Sequence, residues 1–341
     1  MTRPWSSQLM AAAILGGALQ SGRVAHAYIF CGPKGTGKLA CALDFAAALN
    51  CQRDGFERFQ QGVCECDSCR RTQAVVHPDI RLLQPAGAKI KIDQIRYLIK
   101  ELWQRPFAGK YKIHILDQAD RCNVESANSI LKILEDPPGQ AVIILVTDKP
   151  STLPATVRSR CQFVRFVNLP IEEQGRRLQS KYGLAADRAK LIATLGEGNP
   201  GRSEELVANA QLDRYRKLAQ TVVTGLGGRN DWELFALVKE LEMEKDGLRD
   251  ILHLVCALLR DLVCLSATDQ GVDLINCDKE RELALAARGI PLGKWYQAFS
   301  LVQEVEADLE RNINKRLLLE GLVFNLHTLL ATDGTSSAFD R

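Results

Sequence analysis

Stretches rich in apolar residues alternate with helical stripes along the first half of the chain. The segments 27–31, 79–84, 112–117, 141–147 and 162–167 are short and largely unbroken, and they predict strands. Between them, apolar residues recur at three- and four-residue spacing over 37–50, 92–104 and 123–135, which predicts helices. The clearest is 92–104: Ile92, Ile95, Leu98, Ile99 and Leu102 form one stripe, and Asp93 lies in the first turn. Strands alternating with helices predict a parallel sheet covered on both faces, in a first domain spanning 1–168.

The pattern changes at Asn168-Leu169-Pro170. Helical segments at 171–181, 186–195 and 202–209, with Gly196-Glu197-Gly198-Asn199-Pro200-Gly201 as punctuation, predict a small helical domain over 169–210. No strand pattern follows. Amphipathic segments at 231–244, 246–266, 279–288, 291–309 and 312–331, with the Gly-rich break Gly225-Leu226-Gly227-Gly228, predict an all-helical third domain over 211–334 and a polar tail at 335–341. The expected fold class is therefore α/β plus all-α.

A chain of 341 residues has room for two or three domains with cores of their own, and its hydrophobic and charged fractions, 46% and 25%, are those of ordinary globular proteins. The net charge of +3 gives no general pull toward nucleic acid or membrane, so any DNA contact must be local. Lys89, Lys91, Arg105 and Lys110 are candidates for phosphate contacts, although such scattered charges are more often plainly solvated. There is no run of about 18 apolar residues, and Met1 to Gln20 lacks the features of a signal peptide, so a cytoplasmic protein without membrane contact is expected.

The apolar run Ala27-Tyr28-Ile29-Phe30 leads into Gly32-Pro33-Lys34-Gly35-Thr36-Gly37-Lys38, which has the pattern and the strand-then-helix context of a phosphate-binding P-loop. Such a loop cradles phosphates with backbone N–H groups and its lysine, and uses the next Ser or Thr to hold magnesium. Here the next residue is Leu39, which cannot coordinate a metal. Likewise, the strand ending at Asp117 is followed by Gln118 where a hydrolysing enzyme would carry a Glu. Lys34 and Lys38 leave nucleotide binding open, but turnover is not expected. A Gly-rich turn with no ligand is the alternative.

Of eleven cysteines, Cys51, Cys64, Cys66 and Cys69 crowd into one short segment, which supplies four thiolates for a tetrahedral structural zinc site. Cys66-x-x-Cys69 has ordinary ligand spacing. The Cys64-Glu65-Cys66 gap is one residue tighter than usual and sets Cys64 apart, and free thiols are the competing reading. In Ser159-Arg160-Cys161, Arg160 reads either as a solvated cation or as an arginine finger acting on a neighbour's nucleotide.

Together these residues resemble the clamp-loader branch of the AAA+ ATPases. The resemblance runs from about His26 to Leu330. It rests on His26-Ala27-Tyr28-Ile29-Phe30-Cys31, the P-loop, the cysteine cluster, His77-Pro78-Asp79 and Ile90-Lys91-Ile92-Asp93-Gln94-Ile95-Arg96. Ala127 through Pro138, Ser159-Arg160-Cys161 and Asn312-x-Asn314 continue it.

It implies a RecA-like AAA+ P-loop domain, a small helical lid and a C-terminal helical collar through which five subunits form an open ring. The partners implied are motor subunits (gamma or tau), a delta subunit, the sliding clamp (beta) and primed DNA. The resemblance further implies Arg160 as a finger supplied in trans, zinc on Cys51, Cys64, Cys66 and Cys69, a sensor position at Thr147 or Asp148, and Arg202 as a loose match to the lid's sensor arginine. A motor subunit would need both catalytic residues that Leu39 and Gln118 replace. A non-hydrolysing assembly subunit is the first expectation and an active motor the alternative.

Overall fold

A computed structural model describes residues 3, 5–85, 87, 90, 92–122, 124–226, 229–244, 247–268, 273–309 and 314–331. Lys89, Lys91, Gly227, Gly228, Asn312 and the tail at 335–341 lie outside the described residues.

The chain forms two units, one of residues 1–169 with 199–202 and one of 170–198 with 203–341. In chain order the first contains α1 (Leu9–Ser21), β1 (Ala27–Cys31), α2 (Lys38–Leu49), α3 (Gly55–Gln61), α4 (Asp67–Gln73), β2 (Ile80–Leu83), α5 (Ile92–Leu102), β3 (Lys112–Leu116), α6 (Val124–Glu135), β4 (Ala141–Thr147), α7 (Ala155–Arg158) and β5 (Gln162–Arg165). The five strands make one parallel sheet in the order β2-β3-β4-β1-β5.

Every residue of β1, β3 and β4 is buried, because helices cover both faces and alternation has no solvent side to mark. On one face Tyr28, Phe30, Ile115 and Ile144 pack against Leu15 of α1 and Phe45 of α2. On the other, Ile29, Leu116, Ile143 and Leu145 pack against Ile95 and Leu98 of α5 and Ile130 and Ile133 of α6.

Four helices of this unit lie outside the sequence expectation: α1, α3, α4 and the four-residue α7. The cysteine-bearing segment, for which the hydrophobic pattern predicts no helix, carries α3 and α4. Asp54 starts α3 by accepting the Glu57 N–H at 2.8 Å, and Gly62 ends it with φ 80°. The Cys66 sulfur occupies the same capping position on α4, 3.5 Å from the Cys69 nitrogen. α1 is apolar on most of its surface and has no polar stripe to betray it.

The second unit is all helical: α8 (Ile171–Tyr182), α9 (Ala186–Leu195), α10 (Pro200–Ala208), α11 (Leu212–Thr224), α12 (Asp231–Met243), α13 (Leu248–Ala267), α14 (Glu280–Gly289), α15 (Leu292–Leu309) and α16 (Lys315–Leu330). The first residues of α10 group with the first unit. One core runs from Leu178 of α8 to Leu330 of α16, so the segments 169–210 and 211–334 share it. The buried Asp261 of α13 fixes a connection in this unit by accepting the N–H groups of Ile275 and Asn276 at 3.0 and 2.8 Å. No described helix is long and apolar enough to cross a membrane.

Candidate nucleotide cleft and cysteine cluster

The P-loop leaves the C-terminal end of β1 through three glycines in conformations that other residues avoid. Gly32 has φ 146°, and a Cβ there would lie 2.0 Å from the Phe166 carbonyl oxygen. Gly35 and Gly37 follow with φ 86° and 88°, and Gly37 caps α2. Thr36 ties the turn by donating its hydroxyl to Pro33 O at 2.8 Å. The start of α2 then points into a cleft of about 820 Å³ at the C-terminal edge of the sheet, where open α/β sheets carry their ligands.

Lys34, Lys38, Arg121 and Lys149 line the cleft on the basic side, and Asp117, Asp120 and Asp148 on the acidic side. Lys38 is almost fully buried. Its ammonium donates to Gly32 O at 2.7 Å and Pro33 O at 2.6 Å, and pairs with Asp148 Oδ1 at 2.7 Å. A phosphate would have to take over those three interactions. Leu39 also lines the cleft and packs on the core, so carbon stands where a metal-holding hydroxyl would be.

Asp117 accepts from Gln118 N at 3.0 Å and from Gln84 Nε2 at 3.2 Å. Gln118 adopts φ 52°, a left-handed turn at the strand end. Thr147, at the end of β4, donates to Asp120 Oδ1 at 2.9 Å and accepts Lys149 N–H at 3.0 Å. Arg202 is not among the lining residues, and its backbone N–H is held by Asn199 Oδ1 at 3.1 Å. Asn199 in turn donates to Lys34 O at 2.6 Å, and Gly201 N–H donates to Gly35 O at 2.9 Å. The approach is close enough that a Cβ on Gly201 would lie 2.7 Å from the Gly35 Cα.

Arg160 follows α7, just before β5. The first residue of β5 pairs with Tyr28, while the P-loop leaves after Cys31. Arg160 thus stands at the N-terminal edge of the sheet, at least roughly 10 Å along the strand direction from the end that carries the P-loop. Its guanidinium is 38% exposed, pairs with Glu135 Oε1 at 3.0 Å and donates to Thr156 O at 3.0 Å.

The four cysteines converge although α3 separates Cys51 from the other three and Cys69 lies inside α4. All four Sγ atoms lie within 4.8 Å of one another, with Cys51 3.7 Å from Cys64 and 4.0 Å from Cys66. Sulfurs at about 2.3 Å from one tetrahedral metal are about 3.8 Å apart, so the cluster fits a four-thiolate site, and Cys64 belongs to it despite the tight spacing. Burial opposes ionisation of Cys66, but donation from the Gln52 and Cys69 backbone and from the neighbouring thiols outweighs it and brings this thiol down to about 6. Burial holds Cys51 and Cys69 on the protonated side.

Residues 8–170 match the family model of the DNA polymerase III delta subunit, and residues 210–328 match the model of that subunit's C-terminal part. Over 325 residues the chain is 30% identical to DNA polymerase III subunit delta′ of Bacillus subtilis (strain 168), covering 92% of this chain and 94% of that one. The chain belongs to the DNA polymerase III delta′ family.

A delta′ subunit of Pseudomonas aeruginosa is 40% identical over 161 residues, 46% of each chain. The tau subunit of Escherichia coli (strain K12) is 28% identical over 263 residues, which is 73% of this chain and 40% of that protein. The chain is thus a clamp-loader subunit of DNA polymerase III with the AAA+ architecture that its motifs implied.

Several interactions at the sites of this delta′ family member were not readable from sequence. Asp148 clamps Lys38 only because β4 is the neighbour of β1. His77-Pro78-Asp79 proves to be an anchor: Asp79 accepts the N–H groups of Phe107, Ala108 and Gly109 at 2.7, 2.7 and 2.8 Å and pairs with Lys112 at 3.3 Å. Its spacing from 107–109 carries no sequence signal.

Proposed function

We propose that this chain is the non-hydrolysing stator of its clamp loader, lending Arg160 to the ATP site of an adjacent motor subunit (gamma or tau) during placement of the sliding clamp on primed DNA. The observation that carries the reading is the separation of Arg160 from its own P-loop by at least roughly 10 Å along the strands. An exposed guanidinium at that edge serves a nucleotide only on another chain, where it would neutralise charge developing on the transferred phosphoryl group. Leu39 and Gln118 argue in the same direction, because neither supplies the metal ligand or the water-orienting group of an active site.

The same reading has the chain act in a five-membered ring with motor subunits and a delta subunit, divided functionally into an AAA+ domain at 1–168, a lid at 169–210 and a collar at 211–334. It takes a structural zinc on Cys51, Cys64, Cys66 and Cys69. ATP can rest on the P-loop, gripped by Lys34, Lys38 and the α2 N-terminus, without being cut. Arg105 and Lys110 are candidate phosphate contacts to DNA. In the complex, this chain positions and neutralises, and the proton and phosphoryl transfers occur on its neighbour.

The test is Arg160→Ala in a fully reconstituted loader. Removing a finger in trans is expected to slow the complex's DNA-stimulated ATP hydrolysis by about 10³-fold at the one site it serves, with assembly unchanged. An unaltered rate at that site overturns the role. The tau similarity and the retained Lys38 favour one second reading, an active motor. Hydrolysis by the purified chain, abolished by Lys38→Ala, would decide for it.

A further inference from the structure

We propose that Asp148 is a built-in competitor for phosphate: it engages the P-loop lysine and so keeps the affinity of the cleft for nucleotide low, which rests on the reading above that ATP can occupy the P-loop. The register of the sheet brings the two side chains together. Cys31 of β1, the residue before the P-loop, pairs with Thr147, the last residue of β4, so Asp148 leaves its strand beside the loop.

The turn that carries Asp148 is pinned from both sides. Thr147 is buried, donates its hydroxyl to Asp120 Oδ1 at 2.9 Å and accepts the Lys149 N–H at 3.0 Å. Asp148 Oδ1 then meets the Lys38 ammonium at 2.7 Å, with the lysine side chain 5% exposed and the aspartate side chain 40%. Lys38 is folded back on its own loop, with Gly32 O at 2.7 Å and Pro33 O at 2.6 Å. An ammonium has three N–H donors, and here all three have acceptors.

An incoming phosphate must therefore displace the carboxylate or share the ammonium with it. Sharing sets two anions side by side in a partly desolvated place, which is unfavourable. Displacement means that nucleotide binds only the fraction of molecules in which Lys38 has let go, and the apparent affinity is reduced by that fraction. The other two carboxylates of the cleft have different partners: Asp120 holds Thr147, and Asp117 accepts from Gln118 N and Gln84 Nε2. Only Asp148 acts on the lysine.

The experiment titrates the full purified chain with ATP, in the presence of a chelator so that no metal bridges carboxylate and phosphate. It compares the wild type, Asp148→Asn and Asp117→Asn. Asp148→Asn keeps the shape and removes the charge, leaving a neutral and weaker acceptor. It is expected to bind ATP about 10- to 100-fold more tightly than the wild type. Asp117→Asn removes one charge from the same cleft without touching Lys38, and its gain is expected to stay below about threefold.

Asp148→Ala, which removes the acceptor altogether, carries the test if Asp148→Asn does not fold. Equal affinity in the wild type and the Asp148 variant overturns the proposal, as does a gain no larger than that of Asp117→Asn, which would report only the overall charge of the cleft. Either result leaves ATP occupancy standing. Binding by the Asp148 variant with none by the wild type upholds the competitor and removes ATP from the native chain. Binding by no variant overturns both.

Discussion

His114 sits in the middle of β3, fully buried between Ile113 and Ile115, and neither ring nitrogen has a hydrogen-bond partner. Burial, then the nearby positive charges of Lys112 and Arg81, push this imidazole down to about 3. The unfolded chain, with an ordinary histidine near 6.5, takes up a proton that the native sheet refuses. Stability therefore falls as pH drops from about 6.5 toward 3, at up to roughly 1.4 kcal/mol per pH unit from this residue alone.

At pH 5 the penalty is on the order of 2 kcal/mol, and it is near zero at pH 7.5. His114→Leu removes both the titration and two unsatisfied nitrogens, and should stabilise the first unit by about 1–3 kcal/mol at neutral pH. Urea titrations of the full chain from pH 7.5 to 4.5, read by hydrogen exchange in peptides covering the sheet, give the comparison. Carboxylates shared by both proteins cancel in the difference. The stability gap between variant and wild type should widen by about 2 kcal/mol between pH 7.5 and 5. Parallel curves would refute the buried-histidine argument.

Asp79→Asn leaves Lys112 and at least one of three backbone donors without an anion and should cost about 3–5 kcal/mol, a drop of roughly 10 °C in the melting point of the first unit. Burial raises the Asp79 carboxyl, but its donors outweigh that and hold it below the usual carboxylate range. Its contribution is therefore present at neutral pH and fades as pH falls through its depressed native value, a loss that Asp79→Asn should not show. Gly32→Ala should destabilise by about 3 kcal/mol or more, because its Cβ would meet a backbone oxygen rather than a side chain that can turn away. Calorimetry checks both variants. ATP bound by the native chain should show an affinity independent of magnesium, whereas Leu39→Thr should make it rise with magnesium in titration calorimetry, since a hydroxyl would then face the cleft.

The sheet was legible because β1 and β4 are apolar almost throughout and β3 is broken only by Lys112 and His114, a pattern that needs cover on both faces and leaves few alternatives. α1 was not, because a helix with two interior glycines and almost no polar residues has no periodicity to detect. For α3 a signal existed: Asp54 and Glu57 stand at capping distance in sequence, yet a helix of 7 residues is too short to show an apolar stripe beside it. At the sites, motif residues could be named from sequence, while their partners could not. Asp148 reaches Lys38, and Asn199 reaches Lys34, only through strand order and a return of the chain from 165 residues further on.

The ion pair between Arg160 and Glu135 has an energetic corollary. Exposed pairs of this kind are worth less than about 1 kcal/mol, so the guanidinium leaves its parking place at a cost of no more than about a fivefold change in equilibrium. In the proposed role, a phosphate on a neighbouring subunit competes only with that carboxylate and with the Thr156 carbonyl, both exposed partners. Under the proposed role, handing the guanidinium to a neighbour's nucleotide therefore adds little to the free-energy cost of bringing the two surfaces together.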